Sequence, residues 1–188
     1  NKKILFIKNK QFSKTNMVHS LFKIKKKHIK NEDLVVCYSD IIFDPKIHNK
    51  LTIKKNLLPI NKLWKKSWKQ RMKSHLIKKD AEDLKIGKNN KVLMIGNKIK
   101  NRLPKYQFMG IVKILNKDFF KLSKFYRKID NNKIDFTSFI NEAINQKIII
   151  LNYIICSNYW MEIDNQKDLK VAENFLSKKL SKKKKSIF

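Results

Sequence analysis

Apolar positions along this chain alternate between short continuous runs and stripes at helical spacing. The run Leu34-Val35-Val36-Cys37 is short and β-branched, which predicts a buried strand over 34–39 rather than a helix. Three more strands are predicted by the same pattern: Lys91–Ile95 after an Asn89-Asn90 turn that tolerates positive φ, Ile111–Leu115, and the segment 147–155. Lys3-Ile4-Leu5-Phe6-Ile7 predicts a further strand where the chain opens. Met17, Val18, Leu21, Phe22 and Ile29 form one stripe, predicting a helix from Asn16 to about Ile29 with Thr15 as its cap. Asp44-Pro45 leads into a short helix at Lys46–Leu51, because proline is well tolerated in a first turn. Trp64 and Trp68 stand four residues apart and share one helical face, either packed on a sheet or offered as a platform for stacking bases. Helices are predicted near Lys117–Ile129 and Phe136–Gln146. The last helix starts after Asp164, with Asn165 as cap, Asp168 favourable against the helix dipole, and Leu169, Val171, Ala172, Phe175 and Leu176 as its buried face. Strands and helices alternate, so the expected class is α/β.

With 188 residues, 42% of them hydrophobic, the chain holds material for one domain with its own core. No run approaches a membrane span and no signal-peptide core opens the chain, so a cytoplasmic location is expected. Cys37 and Cys156 both fall inside predicted strands without CxxC spacing, and read as reduced core residues. The net charge of +30 invites a nucleic-acid reading. Of the 45 basic residues, however, only Arg71, Arg102 and Arg127 are arginine. The lysines accompany abundant Asn and Ile, which share AT-rich codons, and they are spread along the chain; a solvated surface accounts for them. The Lys178–Lys185 cluster is expected to fray, dividing the chain into a domain at 1–176 and a Lys-rich tail at 177–188.

Candidate chemistry concentrates in two stretches. Tyr38-Ser39-Asp40-Ile41-Ile42-Phe43 closes one predicted strand, and Tyr159-Trp160-Met161-Glu162-Ile163-Asp164 repeats the arrangement after the apolar run at 148–155. Carboxylates at strand ends lie where α/β sheets bind ligands, and two of them can share one divalent cation. Asp80-Ala81-Glu82-Asp83 is the acidic cluster of the middle of the chain, either surface charge balance or a substrate contact. The three glycines, Gly87, Gly96 and Gly110, cannot build a GxGxxG or GxxxxGK[ST] loop. A nucleotide-handling activity must take its phosphate loop from residues outside this sequence. His19, His28, His48 and His75 lack metal-ligand spacing, and no nucleophile elbow is present.

These residues resemble a family. Thr15-Asn16-Met17-Val18-His19-Ser20-Leu21-Phe22, Tyr38 to Phe43, Trp64 to Arg71, Asp80-Ala81-Glu82, Gln107-Phe108-Met109-Gly110 and Trp160 to Asp164 follow the order seen in the phosphocholine cytidylyltransferase-like nucleotidyltransferases, which include sugar-phosphate and phosphonate-type NTP transferases. The likeness runs from about Lys3 to Leu176. It implies a Rossmann-like nucleotidyltransferase fold with a mixed, mostly parallel sheet, lacking here the N-terminal βαβ portion that carries the Gly-rich loop. It also implies an NTP, often CTP, condensing with a small phosphorylated or phosphonylated acceptor to release pyrophosphate. Asp40 and Asp164 are then the catalytic carboxylates that hold Mg²⁺, and Tyr38, Gln107, Gly110, Trp160 and Glu162 contact substrate. Glu162 alternates with Asp164 and either supports the metal or forms a salt bridge. Tyr38 and Trp160 either form a cation–π wall for a choline-like group or are simply buried.

The chain departs from the family at Ser39, where glycine is usual, at Ser157–Tyr159, where glycines precede the Trp, and at Asn61, where an acid stands. An incomplete sheet is expected to leave an open strand edge and exposed apolar surface. Two other readings remain: a basic nucleic-acid-binding α/β protein, with salt-dependent binding indifferent to Asp40→Ala, and an inactive remnant of the fold.

Overall fold

The computed structural model describes residues 4–185. In chain order its elements are α1 (Met17–Leu21), α2 (Lys26–Ile29), β1 (Leu34–Cys37), β2 (Ile41–Phe43), α3 (Ile47–Lys50), β3 (Leu57–Asn61), α4 (Trp64–Arg71), α5 (Ser74–Asp80), β4 (Glu82–Ile86), β5 (Val92–Lys98), β6 (Gln107–Phe108), β7 (Ile111–Ile114), α6 (Asn116–Tyr126), α7 (Phe136–Asn145), β8 (Asn152–Cys156), β9 (Trp160–Glu162) and α8 (Gln166–Lys185). The central sheet runs β1-β7-β3, with β6 continuing beside β3 and β8 on the other side of β3. Among the described residues only the β3–β8 pair is parallel; β7 runs against both β1 and β3, and β6 runs against β3. The sheet is therefore mixed but mostly antiparallel, correcting the expected parallel majority. Apolar runs report burial and period, whereas direction depends on how the long connections at 62–106 and 115–151 return the chain.

Side chains alternate across the sheet. Leu58, Ile60, Val112 and Ile114 join Phe119 and Leu122 of α6 and Phe139 and Ile140 of α7 in one core. Leu57 and Ile111 turn the other way, to Trp64 and Trp68 of α4, Ile77 of α5, Cys156 and Trp160. Helices thus cover one face, and the other face is covered by α4, α5 and a two-stranded ribbon of β2 and β9. A separate hairpin pairs β4 with β5 through the Asn89-Asn90 turn, where both residues have φ near +56°. None of the described helices is long and apolar enough to cross a membrane.

Several expected boundaries shift. The stripe at 16–29 forms two short helices, α1 and α2, with Asn16 rather than Thr15 as cap: its side chain accepts the Met17 N–H at 2.7 Å. Phe22 leaves the helix to pack on Tyr126 and Phe119, and the lysines at 23 and 25–27 repel one another within one helical turn. Ile4, Leu5 and Phe6 lie exposed and outside any strand, because nothing among the described residues pairs with them; Lys3 lies outside the described residues. The strand expected at 147–155 begins only at Asn152, after Lys147 turns at φ +55°. α8 continues to Lys185, so the boundary expected at 176 falls inside a helix; the last three residues lie outside the described range.

β1 is an edge strand. It pairs with β7 on one side and with no other strand among the described residues, so the sheet has an open edge. Val35 is 47% exposed there, and Cys37 is exposed too, so only Cys156 is the core cysteine expected of both. A run of four apolar residues looks the same at an edge and at a centre, since only neighbours from elsewhere in the chain separate the two.

Candidate active site

The β2–β9 ribbon unites the two acid-bearing stretches. Ile41 pairs with Glu162, Ile42 with Met161 and Phe43 with Trp160. The ladder extends one step at each end: the Ile163 N–H donates to the Asp40 carbonyl at 2.8 Å, and the Asp44 N–H donates to the Tyr159 carbonyl at 3.1 Å. Asp40 and Asp164 consequently emerge at the same end of the ribbon, both exposed to solvent. A cavity of about 300 Å³ opens at Asp40, walled by Tyr38, Ser39, Val36, Cys37 and Phe136.

Tyr38 ties this end to the central sheet. Its N–H donates to the Gly110 carbonyl at 2.9 Å, and its ring stands edge-on to Phe108 and Phe136. Burial raises its phenol pKa, and the carboxylates of Glu82, Asp135, Asp40 and Glu162 push it further the same way, so the hydroxyl stays protonated. Gly110 has φ +71°, and a Cβ there would meet Tyr38 Cγ at 3.1 Å. Gly110→Ala is expected to destabilise the protein by about 1–2 kcal/mol and displace Tyr38, read as a lower urea midpoint. Gln107 is 5% exposed, pairs with Asn61 in the β3–β6 register, and keeps Oε1 without a partner among the described residues. Trp160 is buried, its indole N–H donating to the Met109 carbonyl at 2.9 Å. Tyr38 and Trp160 therefore sit in packing contacts and do not enclose a common pocket: Tyr38 borders the cavity at Asp40, whereas Trp160 borders another, beside Tyr159 and Phe175.

The residue that sequence reasoning passed over is Arg71, at the C-terminal end of α4. Its side chain is 2% exposed and its guanidinium meets four carboxylates. Nη2 donates to Glu162 at 2.5 Å and lies 3.7 Å from Asp80; Nη1 donates to Asp164 and, at 3.1 Å, to Asp168. Its face also lies 5.0 Å from the Trp68 ring. Burial opposes the Arg71 charge, but Asp164, Glu162 and Asp168 outweigh it and raise its pKa. Glu162 responds oppositely. Burial, with repulsion from Asp164, Asp80 and Asp40, overcomes the attraction of Arg71 and pushes its carboxyl up to about 8. A signal for Arg71 was present: where lysine supplies nearly all the positive charge, an arginine marks a place needing a planar, multidentate donor.

Asp168 was expected only to favour the helix dipole. It is 2% exposed, accepts from the Asp164 N–H and from Asn165, and joins the Arg71 cluster. Asn165 does cap α8, accepting the Lys167 and Asp168 N–H groups. Trp64 and Trp68 are buried edge-to-face against each other at 5.2 Å, so they pack the core and cannot stack on bases. Among the described residues no group of three or more His, Cys, Asp or Glu side chains is placed to hold a metal ion.

No family model matches the chain. It is 31% identical over 183 residues to the CTP:phosphoglutamine cytidylyltransferase of Campylobacter jejuni, covering 88% of this chain and 70% of that protein. Its fold superposes on the inositol-1-phosphate CTP transferase of T. maritima with a TM-score of 0.66 at 18% identity, covering 88% of this chain and 62% of that one. A putative glucose-1-phosphate thymidylyltransferase of Bacillus anthracis superposes at 0.60 with 17% identity, covering 86% and 61%. The chain thus spans less than two thirds of the length of these two solved structures.

Proposed function

We propose, on the premise that the chain belongs to the nucleotidyltransferase family of NTP transferases, that it serves cytidylyl transfer from CTP to a small phosphorylated or phosphonylated acceptor. The observation that supports this reading is the β2–β9 ribbon, at one end of which Asp40 and Asp164 both emerge, each bordering its own cavity.

The chemistry asks little covalent work of the protein. An anionic phosphate or phosphonate oxygen of the acceptor attacks the α-phosphorus of CTP, the bond from that phosphorus to the bridging oxygen breaks, and pyrophosphate leaves. No proton needs removing, so no general base is required, and positioning and charge dominate. Mg²⁺ fits the donor set: it takes one or two carboxylates and completes its octahedron with phosphate oxygens and water, so two carboxylates suffice where a three-residue cage is absent among the described residues. Asp40 and Asp164 would hold it, with the Asp164 carboxylate also bonded to Arg71. When bound, the ion neutralises the charge of the triphosphate. Arg71 and the Asp168 bond to the Asp164 N–H fix the Asp164 carboxylate, and the Ile163–Asp40 bond fixes the Asp40 backbone. CTP-dependent synthesis agrees with a cytoplasmic location.

The test is pyrophosphate release by the protein expressed from its full natural reading frame, with Mg²⁺, each NTP in turn, and phosphocholine, aminoethylphosphonate, phosphoglutamine and sugar 1-phosphates as acceptors. Acceptor-dependent release with CTP is expected. A folded protein that releases none, yet binds RNA in a salt-dependent manner, overturns the reading in favour of the basic surface.

A further inference from the structure

At the end of the central sheet opposite Asp40, five lysines line one cavity of about 490 Å³. β3 and β8 run parallel, and β1 runs the same way through β7, so Asp40 follows β1 at the end where β3 and β8 finish. The cavity lies where β3 and β8 begin. Lys54 and Lys55 come from the loop ahead of β3, Lys117 and Lys121 from the first two turns of α6, and Lys147 from the turn ahead of β8. All of them are exposed. Asp118 is the one carboxylate lining the cavity among the described residues, and both its oxygens are taken: Lys121 donates to one at 2.8 Å and Asn56 to the other at 2.7 Å. Lys54, Lys55, Lys117 and Lys147 have no carboxylate within ion-pair distance among the described residues.

The segments that carry these lysines are tied to one buried side chain. Asn56, 4% exposed, donates to Asp118 of α6 and, at 3.0 Å, to the Ile150 carbonyl, and its Oδ1 accepts the Leu115 N–H at 2.8 Å. Its backbone carbonyl accepts the Asn152 N–H at 3.0 Å. The three segments are thereby fixed against one another, and the mutual repulsion of the unpaired lysines is built into the fold. Lys147 is a second sign. It stands at the left-handed position that ends α7, with φ +55°, its N–H donating to the Ile144 carbonyl and the Ile148 N–H to the Ala143 carbonyl. Glycine fills that position most readily, so a lysine is held there at a conformational cost. We infer that this cavity is a second anion site, independent of the transferase reading, and that it takes a polyphosphate chain, free or carried by a nucleotide. A single phosphate leaves most of these lysines unmatched in a space of this size, whereas a chain of phosphates spreads its charge over lysines from all three segments. No Phe, Tyr or Trp lines the cavity among the described residues, so charge does the recognition and a nucleobase adds nothing.

The probes are orthophosphate, tripolyphosphate and ATP, titrated calorimetrically into the full chain with EDTA present to exclude Mg²⁺-dependent binding at Asp40 and Asp164. Tripolyphosphate is expected to bind at least about tenfold tighter than orthophosphate, with ATP within about threefold of tripolyphosphate. Lys54→Met and Lys147→Gly should each weaken tripolyphosphate about three- to fivefold, the range of one charge-assisted contact at an exposed site. Lys170→Met removes an equal charge from α8, away from this cavity, and should leave the affinity unchanged. Lys147→Gly should act without lowering the urea midpoint, because glycine favours that φ, so lost binding is separated from lost structure. Equal losses in Lys170→Met and the cavity variants, orthophosphate binding as tightly as tripolyphosphate, or no binding of tripolyphosphate at about 1 mM overturns the inference. A single-stranded RNA that binds more tightly per phosphate than tripolyphosphate, through the same lysines, overturns it in favour of a nucleic-acid surface. Within the inference, the order of ATP and tripolyphosphate tells the nucleotide-carried chain from the free one.

Discussion

Arg71→Met is expected to cost about 3 kcal/mol of stability, measured as a shift in urea midpoint at unchanged slope. The substitution keeps the side-chain volume against Trp68 but leaves Glu162, Asp164 and buried Asp168 without their shared cation. Breaking a buried ion pair from one side typically costs 3–5 kcal/mol, and the half-exposed Asp164 brings the figure to the lower end. Asp80→Asn, by contrast, should cost less than about 1 kcal/mol, because that pair is long and exposed. The Arg71 deficit depends on pH with a definite sign. Glu162 has a folded pKa pushed up to about 8 from an ordinary 4.5, so the folded state binds its proton more tightly than the unfolded state does. Stability from this group is full below pH 4.5 and declines as pH rises to 8. Removing Arg71 removes an influence that lowers this pKa, so the variant keeps losing stability where the parent levels off, and the part of the gap due to this group opens only as pH rises through about 8. Glu162→Gln should flatten the slope in the parent. A pH-independent Arg71→Met deficit would show that the cluster is not coupled in this way.

Asp40→Ala and Asp164→Asn are each expected to lower pyrophosphate release about 10²- to 10³-fold, the loss typical when one preorganised electrostatic contribution to a transition state is removed, here through the proposed ion. Asn is chosen at 164 because an amide oxygen still accepts from Arg71, so lost activity is not lost structure. Asp40 is exposed and makes no side-chain bond among the described residues, so Asp40→Ala should leave the urea midpoint within about 0.5 kcal/mol of the parent. The double variant should be little worse than either single one if, as proposed, the two carboxylates hold one ion and so act as a unit. A shifted Mg²⁺ requirement in both variants is the second readout. Full activity in Asp40→Ala would remove it from the site.

The folding pattern was legible where local chemistry and burial agree. Trp64 and Trp68 at four-residue spacing form a helix with both indoles in the core, Asn165 caps α8, and the Asn89-Asn90 turn has the positive φ that its residues tolerate. Reading faltered where a neighbour distant in sequence decides. The stripe at 16–29 breaks because Phe22 is drawn to Tyr126 and Phe119, and Cys37 is exposed because β1 pairs on one side alone among the described residues. The candidate site divides in the same way. Tyr38–Phe43 and Tyr159–Asp164 could be picked out as stretches, each a carboxylate after an apolar run. Nothing within either stretch says that Ile41 faces Glu162 or that Arg71 sits between Glu162 and Asp164.

By itself, then, the order of residues determined several of the elements, α6, α7, α8, β1, β5 and β7 among them, and that no Gly-rich phosphate loop exists among 188 residues with three glycines. Those properties depend on a few neighbours along the chain: spacing, capping and φ preference. Only the tertiary structure decided the antiparallel run of β7, the edge position of β1, and the gathering of Glu162, Asp164 and Asp168 around one buried guanidinium. Strand pairing and buried charge are settled by closing long loops and by removing water from groups that meet only after those loops close. The energy of each contact therefore belongs to the assembled pair and to neither segment alone.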